Sequence, residues 1–251
     1  MPNEGSVAVV TGASRGIGAA VSKALSNSGM RVDKVSRHIE ESDWGAAEIS
    51  APLDVCDEDG VVRLADRVGR MGAMRVLVVN AGVPTKEALI ADSTMEDWER
   101  NLRINAFEAA NTVRAFLPLI RENHGHIVFI SSTVSRVPYE RGAAYAASKH
   151  ALRALAQTLR LEEAGHGVRV SEVAPGMMMG DASGGAFMRD RMDNDSDRVQ
   201  NVYRGIAPLV PADIAECVRW VISLPPHVNV DDLLVKPIGQ PSHDKVIRDD
   251  S

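Results

Sequence analysis

Val7-Ala8-Val9-Val10-Thr11-Gly12-Ala13-Ser14-Arg15-Gly16-Ile17-Gly18 decides the fold. A short apolar run breaks into a glycine-rich turn and then into an amphipathic segment over residues 16–28, which reads as strand, tight turn and helix. Glycine at positions 12, 16 and 18 allows a tight backbone turn and a close approach to a pyrophosphate at the next helix's N-terminus.

The same alternation continues along the chain. Apolar runs at 32–35, 76–79, 127–130, 168–173 and 233–235 are separated by helical patterns at 57–70, 93–122, 143–164 and 211–223. Strands separated by whole helices need crossovers, which predicts an α/β protein with a parallel sheet covered on both faces. Ser93, three residues before Glu96, reads as a capping box opening the 93–122 helix, and Gly165 and Gly167 read as the stop of the helix from Ala143. Without a repeat or linker, residues 1–240 are expected to form one domain. Residues 176–205 lack a clean period, are rich in Met, Gly, Asp and Arg, and are expected to form a lid. Met177, Met178, Met179, Met188 and Met192 would give it a flexible apolar wall. The polar stretch 241–251 is expected to be a loose tail. Asp33 and Lys34 are unexplained in a run that should be buried.

Composition narrows the function classes. A net charge of −6 with scattered arginines gives no support for nucleic-acid binding. No apolar stretch approaches the roughly 18 residues of a membrane span. Cys56 and Cys217 form neither a CxxC nor a disulfide framework, and the start carries no signal-peptide pattern, so a cytoplasmic protein is expected. His124, His126, His150 and His166 lack acidic or thiol companions at ligand spacing, so no metal is expected.

Tyr145 and Lys149 stand four apart, on one face of a helix. A phenol with a pKa of about 10 lies about three units above neutrality, so ionising it costs roughly 4 kcal/mol. A lysine charge about 4 Å away is worth on the order of 4 kcal/mol at a moderate dielectric. The pair can therefore make Tyr145 a usable acid or base.

Taken in order, these markers resemble the short-chain dehydrogenases/reductases from about Ser6 to Gln240. The markers are Thr11-Gly12-x-x-x-Gly16-x-Gly18, Asp54-Val55, Asn80-Ala81-Gly82, Asn105, Tyr145-x-x-x-Lys149 and Pro175-Gly176. The resemblance implies a Rossmann-type, doubly wound sheet of about seven strands. It also implies a nicotinamide cofactor held by Gly12, Ser14, Arg15, Gly16, Ile17, Gly18, Asp54, Val55, Asn80, Ala81, Gly82, Tyr145, Lys149, Pro175 and Gly176. Ser132, thirteen residues before Tyr145, takes the family's serine position, where it would steady charge on the substrate oxygen. Its neighbour Ser131 should face the other way in an extended strand. Asn105 would hold a water joining Lys149 to solvent as a proton relay.

The position after the second strand that carries an acid in NAD-preferring members is Ser36 here, followed by Arg37. With Arg15 in the turn, Arg37 could clamp a 2′-phosphate, so NADP(H) is expected. The threonine that often follows the PG pair is replaced by Gly180, next to Asp181. The segment from Asp213-Ile214-Ala215-Glu216 to Lys236-Pro237 is similar to a subgroup that includes 3-hydroxy acid dehydrogenases and clavulanate aldehyde reductases. Since cells keep NADPH reduced, reduction of a small ketone or aldehyde is expected. Oxidation of a hydroxy acid or sugar-like alcohol is the alternative. A non-catalytic dinucleotide sensor is a third reading, but such relatives usually lose the serine, tyrosine or lysine retained here. A homodimer or homotetramer is expected by resemblance, and Ala144, Ala147, Ala151, Leu155 and Leu159 are numerous enough to serve both a core and a partner.

Overall fold

In the computed structural model, residues 5–40, 48–180, 185–243 and 245–249 are described. Positions 181–184 of the expected lid, with Asp181, and positions 244 and 250–251 of the expected tail lie outside them. Seven strands are present: β1 (Val7–Thr11), β2 (Arg31–Ser36), β3 (Glu48–Pro52), β4 (Met74–Val79), β5 (His126–Ile130), β6 (Arg169–Pro175) and β7 (Asp232–Val235). They form one sheet in the order β3-β2-β1-β4-β5-β6-β7, with every pair parallel. The strand order reverses between β1 and β4, and in such sheets a ligand crevice opens there, beyond the carboxyl ends of the strands.

The helices are α1 (Gly16–Asn27), α2 (Glu58–Gly69), α3 (Met95–Leu102), α4 (Glu108–Glu122), α5 (Ala143–Glu163), α6 (Gly185–Arg191), α7 (Ser196–Tyr203) and α8 (Pro211–Ser223). Strand alternation splits the core in two. Val7 and Val9 face the layer of α2, α4 and α5, whereas Ala8 and Val10 face α1 and α8. Each fully buried valine contributes about 1.5–3 kcal/mol relative to exposure, so the strand feeding the glycine turn is firmly anchored.

Several expectations are corrected. β3 was not anticipated, because Glu48, Ser50 and Pro52 interrupt its apolar signal; it is an edge strand, where a terminal proline is tolerated. The 93–122 helix is interrupted by a π-helical turn, Arg103–Phe107. Its N-cap is Thr94, not Ser93: Thr94 Oγ1 accepts from the Asp97 amide at 3.2 Å and donates to the Asp97 carboxylate at 2.8 Å. Ser93 instead accepts from Trp98 Nε1 at 3.0 Å. Gly167 ends the helix from Ala143 in the left-handed conformation, φ 69°.

Asp33 and Lys34 find partners that the sequence could not show. Arg67 Nη2 lies 3.0 Å from the fully buried Asp33 carboxylate, and Lys34 Nζ lies 2.9 Å from Glu48. Burial nonetheless pushes the Asp33 carboxyl above its ordinary value.

The segment 176–205 contains α6 and α7. Met192, Val199 and Tyr203 form a small core with Met177, Met179 and Met188 packed against it, so these methionines fill the interior of this segment. Met178 packs instead against the α1/α8 core. Described residues of the stretch after Pro241 bond back to the rest of the chain. Ile247 and Asp249 donate their amides to Gly239 and Gly205 at 2.7 and 2.8 Å, and Arg248 bonds the carbonyls of Asn201, Val202 and Arg204.

Candidate active site

The crevice at the end of β1 and β4 is built by backbone contacts that only glycine permits. A Cβ on Gly18 would lie 2.4 Å from the Gly12 carbonyl oxygen, and one on Gly12 would lie 2.9 Å from Ala81 Cα. Gly16, at φ 56°, faces open space within 4 Å. At the first turn of α1 no side chain caps the N-terminus and no acid is present. Amides without intrahelical partners beside a gap that side chains avoid fit a phosphate group.

Asn80 braces this turn. Its Nδ2 donates to the Thr11 and Gly12 carbonyls at 2.8 and 3.2 Å. Thr11 Oγ1 accepts from the amides of Asn80 and Ala81 at 2.9 and 3.0 Å. The role of Thr11 was missed in the sequence, although a hydroxyl preceding Gly12 was its signal.

Ser36 closes β2 and its Oγ donates to Ser14 Oγ at 2.9 Å, joining that strand end to the glycine turn. Arg37 and Arg15 are thus brought to one rim. Arg37 Nη1 sits 3.8 Å from Asp54 with both side chains about half exposed, a pair worth at most about 1 kcal/mol. Val55 is buried against the core beside α2. Pro175 ends β6, and a Cβ on Gly176 would lie 2.4 Å from Gln240 Oε1.

Ser132, Tyr145 and Lys149 converge. Ser132 follows β5, and its hydroxyl caps the short turn Thr133–Ser135 by accepting from the Val134 amide at 3.2 Å. From there Ser132 acts on the Tyr145 phenol, favouring its ionised form. Ser131 faces away: its hydroxyl is buried without a partner among the described residues. Lys149 Nζ donates to the Ile130 carbonyl at 3.3 Å and lies 5.8 Å from the Tyr145 ring centroid. Gly82 leaves the lysine room, since a Cβ there would sit 3.7 Å from Nζ.

Electrostatics differ from the sequence expectation. Burial pushes the Tyr145 phenol well above its ordinary value, opposed by the Ser132 hydrogen bond and by the Arg191 charge. Burial also draws Lys149 down to about 8, opposed by the Glu172 carboxylate. The lysine is therefore a weakened cation, and the phenol is a firmly protonated acid at neutral pH.

The Asn105 side chain is held by its neighbours. Its Oδ1 accepts from the Val83 amide at 2.8 Å, and its Nδ2 donates to the Val83 carbonyl and to Ser148 Oγ at 3.0 and 2.9 Å. The side chain thus clamps the segment after β4 to α5, and only its main-chain carbonyl in the π-turn is left for a relay.

Glu172 was overlooked, though a charge inside an apolar run was visible. It is buried on β6 and takes hydrogen bonds from Ser135 Oγ at 2.9 Å, Arg136 Nη1 at 3.2 Å and Arg153 Nη1 at 3.1 Å. Ser135 Oγ also lies 2.7 Å from the Ser132 carbonyl, its one proton shared between that oxygen and Glu172, so geometry at the serine is tied to this carboxylate. The four histidines considered as ligands have separate surroundings. His124 contacts the His166 carbonyl, His126 contacts Ser171, and His150 contacts the Ala146 carbonyl.

A doubly wound sheet, a glycine cradle and a serine beside a buried tyrosine–lysine pair define a dinucleotide-type oxidoreductase site. The chain belongs to the short chain dehydrogenases, whose family model matches residues 6–188, and is an oxidoreductase of alcohol and carbonyl groups. It is 38% identical over 237 residues to an uncharacterized oxidoreductase of Mycobacterium tuberculosis, covering 94% of this chain and 92% of that one. It is 31% identical over 241 residues to the NADP-dependent 3-hydroxy acid dehydrogenase of Escherichia coli K12, covering 93% and 96%. Among solved structures, serine dehydrogenase complexed with NADP+ superposes with a TM-score of 0.87 at 28% identity, covering 97% of this chain and 99% of that one. Among the described residues no helix is long and apolar enough to cross a membrane.

Proposed function

We propose that the chain is an NADP(H)-dependent oxidoreductase that reduces a small ketone or aldehyde, with Tyr145 as the acid. The observation that carries this reading is the Tyr145 phenol, held protonated by burial and placed one helical turn from Lys149. A nicotinamide cofactor, when bound, supplies the hydride. Ser132 Oγ would donate to the substrate oxygen, and Tyr145 would pass its proton to that oxygen as negative charge develops there. Lys149 would stabilise the phenolate left behind. The Asn105 main-chain carbonyl would hold the water that returns a proton.

The preference for NADP(H) rests on Arg37 and Arg15 at the rim where the acid of NAD-preferring members is replaced by Ser36. It is supported by the NADP-dependent E. coli relative and by the NADP+ complex of serine dehydrogenase. Oxidation of a hydroxy acid is the second reading, favoured by the dehydrogenase names of those same proteins. Purified protein assayed with NADPH or NADH against a carbonyl panel, and with NADP+ or NAD+ against the matching alcohols, tests both. The reading expects the highest kcat/KM with NADPH and a carbonyl; a preference for NADH, or no turnover in either direction, would overturn it.

A further inference from the structure

Helix α6 carries a guanidinium that hydride transfer does not require. Phe187 and Arg191 stand four apart, on one face of this helix. The Phe187 ring meets Tyr145 edge-on with centroids 5.8 Å apart. The Arg191 guanidinium lies over the Tyr139 ring, 4.4 Å from its centroid. Tyr139 packs against the cluster of Val134, Tyr145 and Ala146, so this face of α6 covers the reactive phenol.

The charge balance at this place is uneven. Glu87 accepts from Arg191 Nη2 at 2.9 Å and from Arg198 Nη2 at 3.0 Å, so one carboxylate serves two guanidinium groups. These three side chains therefore hold an excess of one positive charge. Arg191 Nε is buried and has no hydrogen-bond partner among the described residues. A buried donor on a charged fork is costly to leave unmet, and the planar fork of a guanidinium is shaped for a carboxylate.

We propose that Arg191 anchors a carboxylate of the substrate, which makes the natural substrates small oxo or hydroxy acids. The acid group would bind the guanidinium while the reacting oxygen reaches Tyr145 and Ser132. The inference rests on the reading of those residues as the reactive centre, and it deepens that reading by naming the substrate class. Sequence alone could not single out Arg191 in a segment that also holds Arg189, Arg198 and Arg204.

Two measurements test it. In the first, kcat and KM are compared for 3-hydroxybutyrate and its methyl ester with NADP+, in the wild type and in Arg191→Gln. The wild type should favour the acid. Arg191→Gln should raise KM for the acid by about tenfold to a hundredfold while leaving the ester nearly unchanged, and Arg191→Lys should restore part of the loss. An equal loss on acid and ester would mark a purely structural role and overturn the proposal.

In the second, butyrate, which has the carboxylate but no reacting oxygen, is titrated calorimetrically into NADP+-saturated protein. Binding should weaken at least about tenfold in Arg191→Gln. Equal binding to both proteins, or binding to neither, would overturn the anchor. Arg191-dependent butyrate binding without turnover of either hydroxy compound would instead keep the anchor and remove the reaction assignment.

Discussion

The Glu172 carboxylate, buried on β6, holds the buried Lys149 ammonium up against the desolvation that draws it down to about 8. Lysine is useful to the phenol only while charged, so its titration should set an alkaline limb in kcat/KM. Because the folded value is already depressed, that limb moves further toward acid when the supporting negative charge is removed. Glu172→Gln should therefore lose activity at a lower pH than the wild type. Asp232→Asn, which alters the same arginines from a partly exposed position, should leave the limb in place. An unmoved limb in Glu172→Gln would separate the carboxylate from the lysine.

Gly18→Ala tests the cradle. Its methyl would meet the Gly12 carbonyl at 2.4 Å and Asn80 Nδ2 at 2.6 Å, neither of which can yield without opening the turn. Denaturant unfolding should show a loss of about 1–3 kcal/mol, and fluorescence titration should show weaker NADPH binding. Unchanged affinity would mean that this turn does not hold the dinucleotide.

Arg37→Ala should raise KM for NADPH by about tenfold or more and leave that for NADH nearly unchanged, since a charge-assisted contact to the 2′-phosphate is removed. Stability should hardly move, because the exposed Arg37–Asp54 pair contributes little. A cofactor preference that survives the substitution would place the selectivity elsewhere.

His126 predicts an acid sensitivity of the fold. Burial and the nearby Arg169 charge keep its imidazole far below the ordinary value, so the folded state refuses a proton that the unfolded chain accepts below about pH 6.5. Stability from this group is complete above that pH and falls by about 1.4 kcal/mol per unit as pH drops, until the folded value is reached. In urea titrations at pH 7.5 and 5.5, His126→Gln should lose less stability between the two pH values than the wild type. Equal losses would contradict the assignment.

How much of this was legible in the sequence follows from the physics of each signal. Buried parallel strands read as plain apolar runs, and Tyr145 and Lys149 are fixed by helical spacing, so the sheet and the reactive face were both visible. β3 was not, because an edge strand need not be apolar throughout. Helices α6 and α7 were hidden because each spans only about two turns, too short to establish a period. Asp33 and Glu172 stood out only as charges in apolar runs; their partners Arg67, Arg136 and Arg153 are 34, 36 and 19 residues away and are brought close only by the fold. Asn80 and Asn105 were expected as site positions from the sequence, whereas their clamping of backbone is seen only in the fold.

The central claim is that the Tyr145 phenol gives the proton during hydride transfer. Its most direct test is the rate of NADPH consumption with the best carbonyl substrate for Tyr145→Phe, alongside NADPH binding by the same protein. Positioned proton transfer contributes about 10²–10⁴-fold, so kcat should fall by that factor while NADPH affinity and unfolding midpoint stay near wild type. Turnover in Tyr145→Phe within a few-fold of the wild type would contradict the account.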